Sequence, residues 1–483
     1  MKRTVRDIVC IVGIASVAAC TIRPETPAPI AVGSDTFRHL DVAAPLPVSL
    51  TNWPALFNDA TLTRLVDATV NGNYDLKAAN ARIDQARALL GVDRSALFPT
   101  VGVASDYSRA RASGTVDNAL PKRTMHNWVV PVEADYELDL WGKLRGQTDV
   151  GKEGVEQAIA QRDAARLNVA TEVASDYLTL RFVEQDIDAL QRSIELRRVA
   201  LEVANYRVKA GTASDLDSLR ASSELDTAAA ELSESERTRE DLVDAIAVLT
   251  GIPPMSMQID PTPHAVVYLP GIPVGMPASI LEQRPDLFAA ARQLDAASLE
   301  VGIARTAWLP TITLSASGGF ASRDLSQFLD RNSTLWGLGI TATETLFDGG
   351  KRDALVQLAQ ANVAIADANY RQVALVALRD VQAALNSIAA QKEREVRFER
   401  ASTASSQAAR LSLSRYQHGY VSYLEVIDAD RDALNVERQL IHSRQEEAAA
   451  TVGLVRALGG GWTSDAVRQE AATAAAASAV SAK

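Results

Sequence analysis

The sequence predicts an all-α-dominated chain with a minor transmembrane β component, built as two internal repeats that each hold a β-hairpin and long coiled-coil helices. Three observations carry this reading. The 483 residues contain a duplication with a period near 210. Inside each copy the hydrophobic period switches from helical to strand-like and back. Each copy also has a proline-free stretch far longer than an ordinary globular helix.

The duplication fixes the domain order. Asp75-Leu76 recurs as Asp286-Leu287, and Leu97-Phe98-Pro99-Thr100 as Trp308-Leu309-Pro310-Thr311, both at an offset of 211. Leu140 to Arg145 corresponds to Leu346 to Arg352. Arg207 through Gly211 and Leu216 corresponds to Arg415 through Gly419 and Leu424. Solenoid units are only about 20–50 residues long, so this period marks two copies of one large unit. Repeat 1 is placed at 51–250 and repeat 2 at 284–462, with a proline-rich linker, 251–283, expected as an irregular belt.

At the N-terminus Lys2, Arg3 and Arg6 form a basic start, Ile8 to Ala19 an apolar stretch, and Val17-Ala18-Ala19-Cys20 a lipoprotein-type cleavage site. Residues 1–19 read as a signal peptide, since the core is much shorter than the roughly 20 apolar residues of a spanning helix. Cleavage would leave Cys20 as the lipidated and only cysteine, with no disulfide possible; an unlipidated secreted chain is the alternative. Residues 20–50, again proline-rich, suit an extended tether from the lipid.

Repeat 1 opens with a helix over 72–97, which Pro99 ends. A β-hairpin over 98–141 follows. Val101, Val103 and Tyr107 alternate with Gly102, Ala104 and Asp106, and a polar segment occupies 109–127. On the return strand Trp128, Val130, Val132, Ala134, Tyr136, Leu138 and Leu140 take one face, and Glu133, Asp135, Glu137 and Asp139 the other. Repeat 2 has a helix over 284–308 and a hairpin over 310–347, where Ile312, Leu314, Ala316 and Phe320 oppose Thr311, Thr313, Ser315 and Ser317. Its return strand sets Trp336, Leu338, Ile340 and Ala342 against Gly337, Gly339, Thr341 and Thr343.

Any half-buried antiparallel sheet alternates in this way. Strand lengths of about 9–11 residues with aromatic ends fit a membrane, and a row of carboxylates is tolerable where it faces water. Four strands cannot close a barrel, and open edges are not tolerated in lipid, so the chain must oligomerise. Two copies would give the narrowest barrel; three would give twelve strands and room for a passage.

The helices after each hairpin are coiled-coil-like. Ile159, Val173, Leu180, Ile187, Ile194, Leu201 and Val208 fall on one seven-residue repeat interrupted by Arg166. From about Arg145 to Lys209 such a helix is roughly 100 Å long. Gly211 ends it, Ser214 with Asp217 makes a capping box, and the return reaches Leu249, giving a coiled-coil hairpin over 145–250. In repeat 2 the hairpin covers 351–458, with Gly419 at its turn and Ile427, Leu434 and Ile441 in heptad spacing. The return helices are too short for their partners. Each long helix is therefore expected beside two shorter ones stacked end to end. Residues 463–483, ending in an Ala/Ser run, are expected to be disordered, although alanine would permit helix.

Composition excludes other classes. A net charge of -11 argues against nucleic acid, which needs a basic surface. No segment after the first reaches transmembrane-helix length without charges. The five histidines have no ligand spacing, and there is no phosphate loop or nucleophile motif. No catalytic residue, cofactor or metal is expected.

The residues also carry a family resemblance. Trp53, Phe57, Leu62, Leu65, Asn73 to Lys77, Tyr136 to Gly142, Arg284-Pro285-Asp286, Phe347 to Gly350 and Ala457 to Trp462 resemble the outer membrane efflux proteins of the TolC family, lipoprotein (NodT) branch, over about 50–462. Thr21, standing after Cys20 where Asp is absent, is similar to bacterial lipoproteins sorted to the outer membrane. The resemblance implies a homotrimer whose 12-stranded β-barrel continues into an α-helical barrel. It also implies docking to a periplasmic adaptor and an inner membrane pump of the resistance-nodulation-division type, with small molecules or drugs leaving passively.

By the same resemblance the hairpin tips, Gly211, Thr212 and Ser214 with Gly419, Tyr420 and Ser422, meet the adaptor, although plain turns explain the glycines equally. Leu424, Asp428 and Arg431 match the lining of the closed periplasmic aperture; an exposed salt-bridged helix face is the bland reading. Gln417 stands where many relatives carry Arg, and Glu344 puts a charge on the apolar strand face, expected at the periplasmic rim. Glu133, Asp135, Glu137 and Asp139 would line the barrel lumen and favour cations. Two rivals share parts of this pattern: a periplasmic coiled-coil adaptor lipoprotein, which should lack the alternating strands, and a lipid-anchored enzyme or adhesin, which should carry a ligand cluster.

Overall fold

The computed structural model describes residues 37–38, 50–111, 113, 124–272, 274 and 282–481, with side chains described to 473. The expected signal peptide, Cys20 and almost all of the tether lie outside these residues. The described chain divides into two compact units, the first holding 82–158 and 290–370, the second holding 50–81, 159–289 and 371–481.

The first unit contains one antiparallel sheet: β1 (Thr100–Val103), β2 (Asp106–Arg111), β3 (Thr124–Glu137), β4 (Thr311–Ser322) and β5 (Thr334–Thr343). Its order is β1-β3-β4-β5, with β2 also on β3. The four expected strands thus appear as five segments. β1 and β2 keep one register, Val103 opposite Val132 and Asp106 opposite Val129. The interruption falls at Pro131, whose carbonyl accepts from the Ala104 N–H at 3.1 Å but which has no N–H to return. Pro131 faces Gly319 on β4, where a Cβ would stand 2.2 Å from the Val130 carbonyl oxygen; only glycine lets β4 close on this strand.

β3 starts at Thr124, inside the expected polar segment, and ends at Glu137. Leu138, expected on the strand, still donates its N–H to the Ile312 carbonyl at 2.8 Å, while Leu140 lies beyond the ladder. The register separates two faces. Val103, Val132, Gly318 and Trp336 form one row and Val101, Ala134, Ala316 and Leu338 the next; Trp336 is 81% exposed and Leu338 76%. The opposite face carries Gly102, Glu133 and Ser317, then Thr100, Asp135 and Ser315. An apolar sheet face left this open marks contact with something other than water. Among the described residues the α-helices join the sheet at one end, and residues 323–333 link β4 to β5 at the other.

The helices are α1 (Ala60–Gly72), α2 (Tyr74–Ser95), α3 (Lys143–Lys209), α4 (Asp215–Thr250), α5 (Pro285–Thr306), α6 (Lys351–Gln417), α7 (Tyr423–Ala457) and α8 (Ser464–Ser481). α3 and α6 each have 67 residues, about 100 Å at the usual rise. Their starts are built alike. The Asp139 carboxylate accepts from the Leu144 and Arg145 N–H groups and from Arg145 Nε at 3.0 Å. The Asp348 carboxylate accepts from Gly350 N, Arg352 N and, at 2.8 Å, Arg352 Nε. Each satisfies otherwise orphaned N–H donors of the first turn. Within α6 one 18-residue window is apolar enough to cross a membrane by length and composition alone, but Asp367, Arg371 and Arg379 leave no charge-free run of that length around it.

The expected helix over 72–97 is two helices, because Asn73 interrupts it. Its Oδ1 accepts from Asp75 N and Leu76 N, and its Nδ2 donates to the Leu249 carbonyl at 2.9 Å. The end of α4 therefore meets the α1–α2 junction. In repeat 2 the end of α7 meets the start of α5: Gly459, at φ +82°, passes so close to Gln283 that a Cβ would lie 1.9 Å from its carbonyl oxygen. Arg284 Nη1 donates to the Ala457 carbonyl at 3.3 Å.

In the second unit Trp53, Phe57, Leu62, Val173, Tyr177, Leu180, Ile246, Val452 and Val455 form the main core, against which linker residues Met257, Val267, Leu269 and Ile272 pack. Along α3 the buried stripe drifts. Ile159, Val173 and Leu180 are fully buried, whereas Ile187, Ile194, Leu201 and Val208 are half-buried and Leu190, Arg197 and Ala204 take over the buried line. The tail is helical instead of disordered, since alanine favours helix. Burial of Val467, an Arg162–Glu470 ion pair at 2.8 Å and the Trp462 indole donating to Asp163 at 2.9 Å fix its start.

Candidate gate and polar strand face

α7 presents two sides at its start. Tyr423, Val426 and Ile427 turn inward against Ala200, Ala204, Ala221 and Tyr416. Leu424 and Asp428, one helical turn apart, remain exposed on the other side. Arg431 does not stand free with them. It reaches α4, donating to both carboxylate oxygens of Glu224, with Nε at 2.9 Å. That hydrogen bond is the main reason its pKa is raised further.

Glu224 belongs to a buried network. Arg197 of α3 donates from Nη1 to the Glu224 carbonyl at 2.9 Å and from Nε to Asp430 of α7 at 2.8 Å, and the Ser193 hydroxyl donates to Asp430 at 3.3 Å. Farther along, Arg438 of α7 pairs with Asp186 at 2.7 Å and with Glu231 at 2.8 Å. Burial, with the Glu224 charge second, pushes the Tyr423 phenol up to about 12. These pairs bind α7 to α3 and α4 of its own chain.

At the tips Gly211 and Gly419 take left-handed φ values of +71° and +81°. Thr212 donates its N–H to the Arg207 carbonyl, closing its turn, and the exposed Tyr420 does the same to Arg415. Ser214 caps α4 by accepting from Leu216 N at 3.2 Å; the reciprocal bond of a capping box, from Ser214 N–H to the Asp217 carboxylate, is not among those described. Ser422 occupies the cap position of α7 without a side-chain bond. Beside Gln417, Arg207 donates to the Tyr416 and Gln417 carbonyls with its guanidinium 4.4 Å from the Tyr416 ring centroid.

The four acids of the return strand part company. Glu133 and Asp135 lie on the polar face among Ser315, Ser317 and Thr100. Glu137 shares that face but pairs with Lys143 at 3.1 Å. Asp139 lies past the strand as the α3 cap, which corrects its placement in the acidic row. Burial opposes its charge, but the bonds from Arg145 and Leu144 hold its carboxyl below the usual carboxylate range. Glu344 is exposed just beyond β5, at the helix end of the sheet.

Sequence reading missed Arg197, Glu224, Asp430 and Arg207. Arg197 carried a signal, a charge on the line Leu190, Arg197, Ala204 that the drifting stripe buries; Glu224 carried none, because its partners lie on two other helices.

A membrane-length sheet with one apolar and one polar face, joined to helices of about 100 Å that end in an exposed, ion-paired tip, is the build of a transport channel. The chain belongs to the outer membrane efflux protein family, whose model matches residues 65–251 and 276–460. It is similar to the outer membrane protein OprJ of Pseudomonas aeruginosa, 28% identical over 92% of this chain and 94% of that protein. A solvent efflux pump outer membrane protein of Pseudomonas putida, SrpC, is 28% identical over 84% and 87%. Among solved structures the outer-membrane channel OprN matches with a TM-score of 0.82 at 28% identity, covering 91% of this chain and 99% of that one. The CmeC channel of Campylobacter jejuni matches with 0.87 at 24% identity, covering 94% and 99%, a likeness of fold alone. The protein is thus the outer membrane channel of a tripartite efflux pump, extending into the periplasm, and its family consists of transport channels. The adaptor alternative finds no support.

Proposed function

We propose that three copies join their sheets into a 12-stranded barrel continuous with a helical barrel, forming a passive exit duct for drugs and other small organic molecules. Strand count supports this, since four strands leave two open edges that lipid does not tolerate. The apolar rows around Trp336 and Leu338 then face lipid, and Glu133 and Asp135 face the passage and favour cations. Lipid on Cys20 anchors the chain. The tips at Gly211, Thr212, Ser214, Gly419, Tyr420 and Ser422 meet a periplasmic adaptor that links the duct to a resistance-nodulation-division pump.

The gate is a ring of Leu424 side chains backed by a ring of Asp428. The observation that carries it is the two-sided start of α7, which exposes these residues while burying Tyr423, Val426 and Ile427 of the same turns. Opening is an iris-like movement of α7 that loosens the Glu224–Arg431 and Arg197–Asp430 pairs. Single-channel conductance in a planar bilayer tests the reading. Wild type should conduct weakly and Leu424→Ala with Asp428→Ala strongly. Folded, trimeric protein that conducts in neither form would remove the barrel, and equal conductance would remove this gate.

A further inference from the structure

The end of the sheet away from the described α-helices carries a feature that neither the gate nor the acidic face uses. Arg109 and Arg111 on β2 follow the same alternation as Tyr107, so both lie on the apolar face, beyond its last aromatic row. That row is Tyr107 against Trp128, ring centroids 4.3 Å apart, with the Tyr107 hydroxyl bonded to His126 Nδ1 at 2.9 Å. His126 stands opposite Arg109, and Thr124 opposite Arg111. From Val101 to Arg111, roughly 34 Å at the usual strand rise, the face passes from aliphatic to aromatic to cationic.

Both arginines are exposed, and neither has an ion-pair partner among the described residues. Asp106 falls on the other face by alternation, and Asp324, after β4, pairs with Arg323 at 3.2 Å. Among the described residues, then, nothing supplies a counter-charge for this rim. Aromatic side chains settle at headgroup depth, and a cation just beyond them meets lipid phosphate. An arginine stem covers apolar surface while its planar fork takes two phosphate oxygens. We propose that Arg109 and Arg111 form a binding surface for the phosphate groups of outer-leaflet lipid, a reading that rests on the apolar face being the lipid side of a barrel. The aromatic row beneath them would hold the acyl chains, which free phosphate lacks.

Native mass spectrometry of the full-length trimer in detergent, titrated with bisphosphorylated lipid A, tests this. Arg109→Gln with Arg111→Gln should bind roughly tenfold more weakly, the scale of lost charge-assisted hydrogen bonds. Wild type should discriminate against dephosphorylated lipid A to a similar degree and keep its lipid in inorganic phosphate. Arg109→Lys with Arg111→Lys should retain most of the binding, which guards against a folding artefact. Equal binding by the Gln variant, equal binding of the dephosphorylated lipid, or displacement by inorganic phosphate would each overturn the proposal while leaving the barrel standing. Folded trimers that fail to conduct in a bilayer both as wild type and with Leu424→Ala and Asp428→Ala would remove the barrel, and this surface with it.

Discussion

Arg431 and Glu224 lie on different helices of one chain and are joined by two hydrogen bonds, yet the Glu224 side chain is 11% exposed and that of Arg431 60%. The two ends of this pair are therefore unequal. Neutralising Glu224 removes the carboxylate shared by Arg431 and the nearly buried Arg197, which keeps only Asp430 as a charged partner, whereas neutralising Arg431 leaves Glu224 its bond from Arg197. Glu224→Gln should cost about 2–3 kcal/mol, as expected for a buried, charged hydrogen-bonding partner. Arg431→Gln should cost about 1 kcal/mol or less. Thermal melting of the detergent-solubilised protein ranks the two, and equal losses would contradict the inequality.

Asp139 and Asp348 perform the same task at the starts of α3 and α6. Asp139→Asn should be mild, because an amide oxygen still caps, while Asp139→Ala and Asp348→Ala should each lose about 1 kcal/mol. Additive loss in the double variant, read from melting, is expected because the two caps share no bond.

The parting of the four strand acids sharpens the selectivity expectation. Of those four, only Glu133 and Asp135 remain on the polar face without a described ion-pair partner. Glu133→Gln with Asp135→Asn should abolish cation preference in a salt-gradient reversal-potential measurement, and Glu137→Gln, already matched by Lys143, should shift it little. The reverse ranking would place the passage elsewhere.

Asp176 follows Glu172 by one turn of α3, and burial, aided by that neighbouring charge, pushes its carboxyl up to about 6. A carboxyl whose folded pKa exceeds its free value of 3.8 adds stability below that value and loses it as pH rises through about 6. Asp176→Asn should therefore melt above wild type at about pH 7.5, by a few degrees at most because the group is part-solvated, with the gap closing below about pH 4. A wild type that melts higher at neutral pH would show the carboxylate to be paired in the assembly.

The repeat, the long helices and the two-faced strands were legible because they rest on periodicity, which one chain displays by itself. Pro131 was visible in the sequence, but its effect on the ladder appears only once Ala104 is known to lie opposite. Asp139 was read by alternation alone, and alternation does not say where a strand stops; the competing demand of four orphaned helix donors decided that. Leu424 and Asp428 were found by spacing. The Arg197, Glu224 and Asp430 network was not, because three helices contribute to it and no spacing within one of them encodes it. The tail was expected to be disordered from its low-complexity composition although alanine permits helix, and α8 follows the helix propensity.

The adjacency of β3 and β4 has a consequence for how the protein is made. Glu137 and Thr313 are paired, yet α3, α4 and α5 are synthesised between them. Closing so distant a pairing is entropically slow, whereas the helical hairpins form through contacts close in sequence. The helices should fold while the first β-hairpin still waits for its neighbour, with an open edge and an unshielded apolar face. During that interval the nascent chain is aggregation-prone, and its yield is set by how well it is held soluble until residue 322 has emerged.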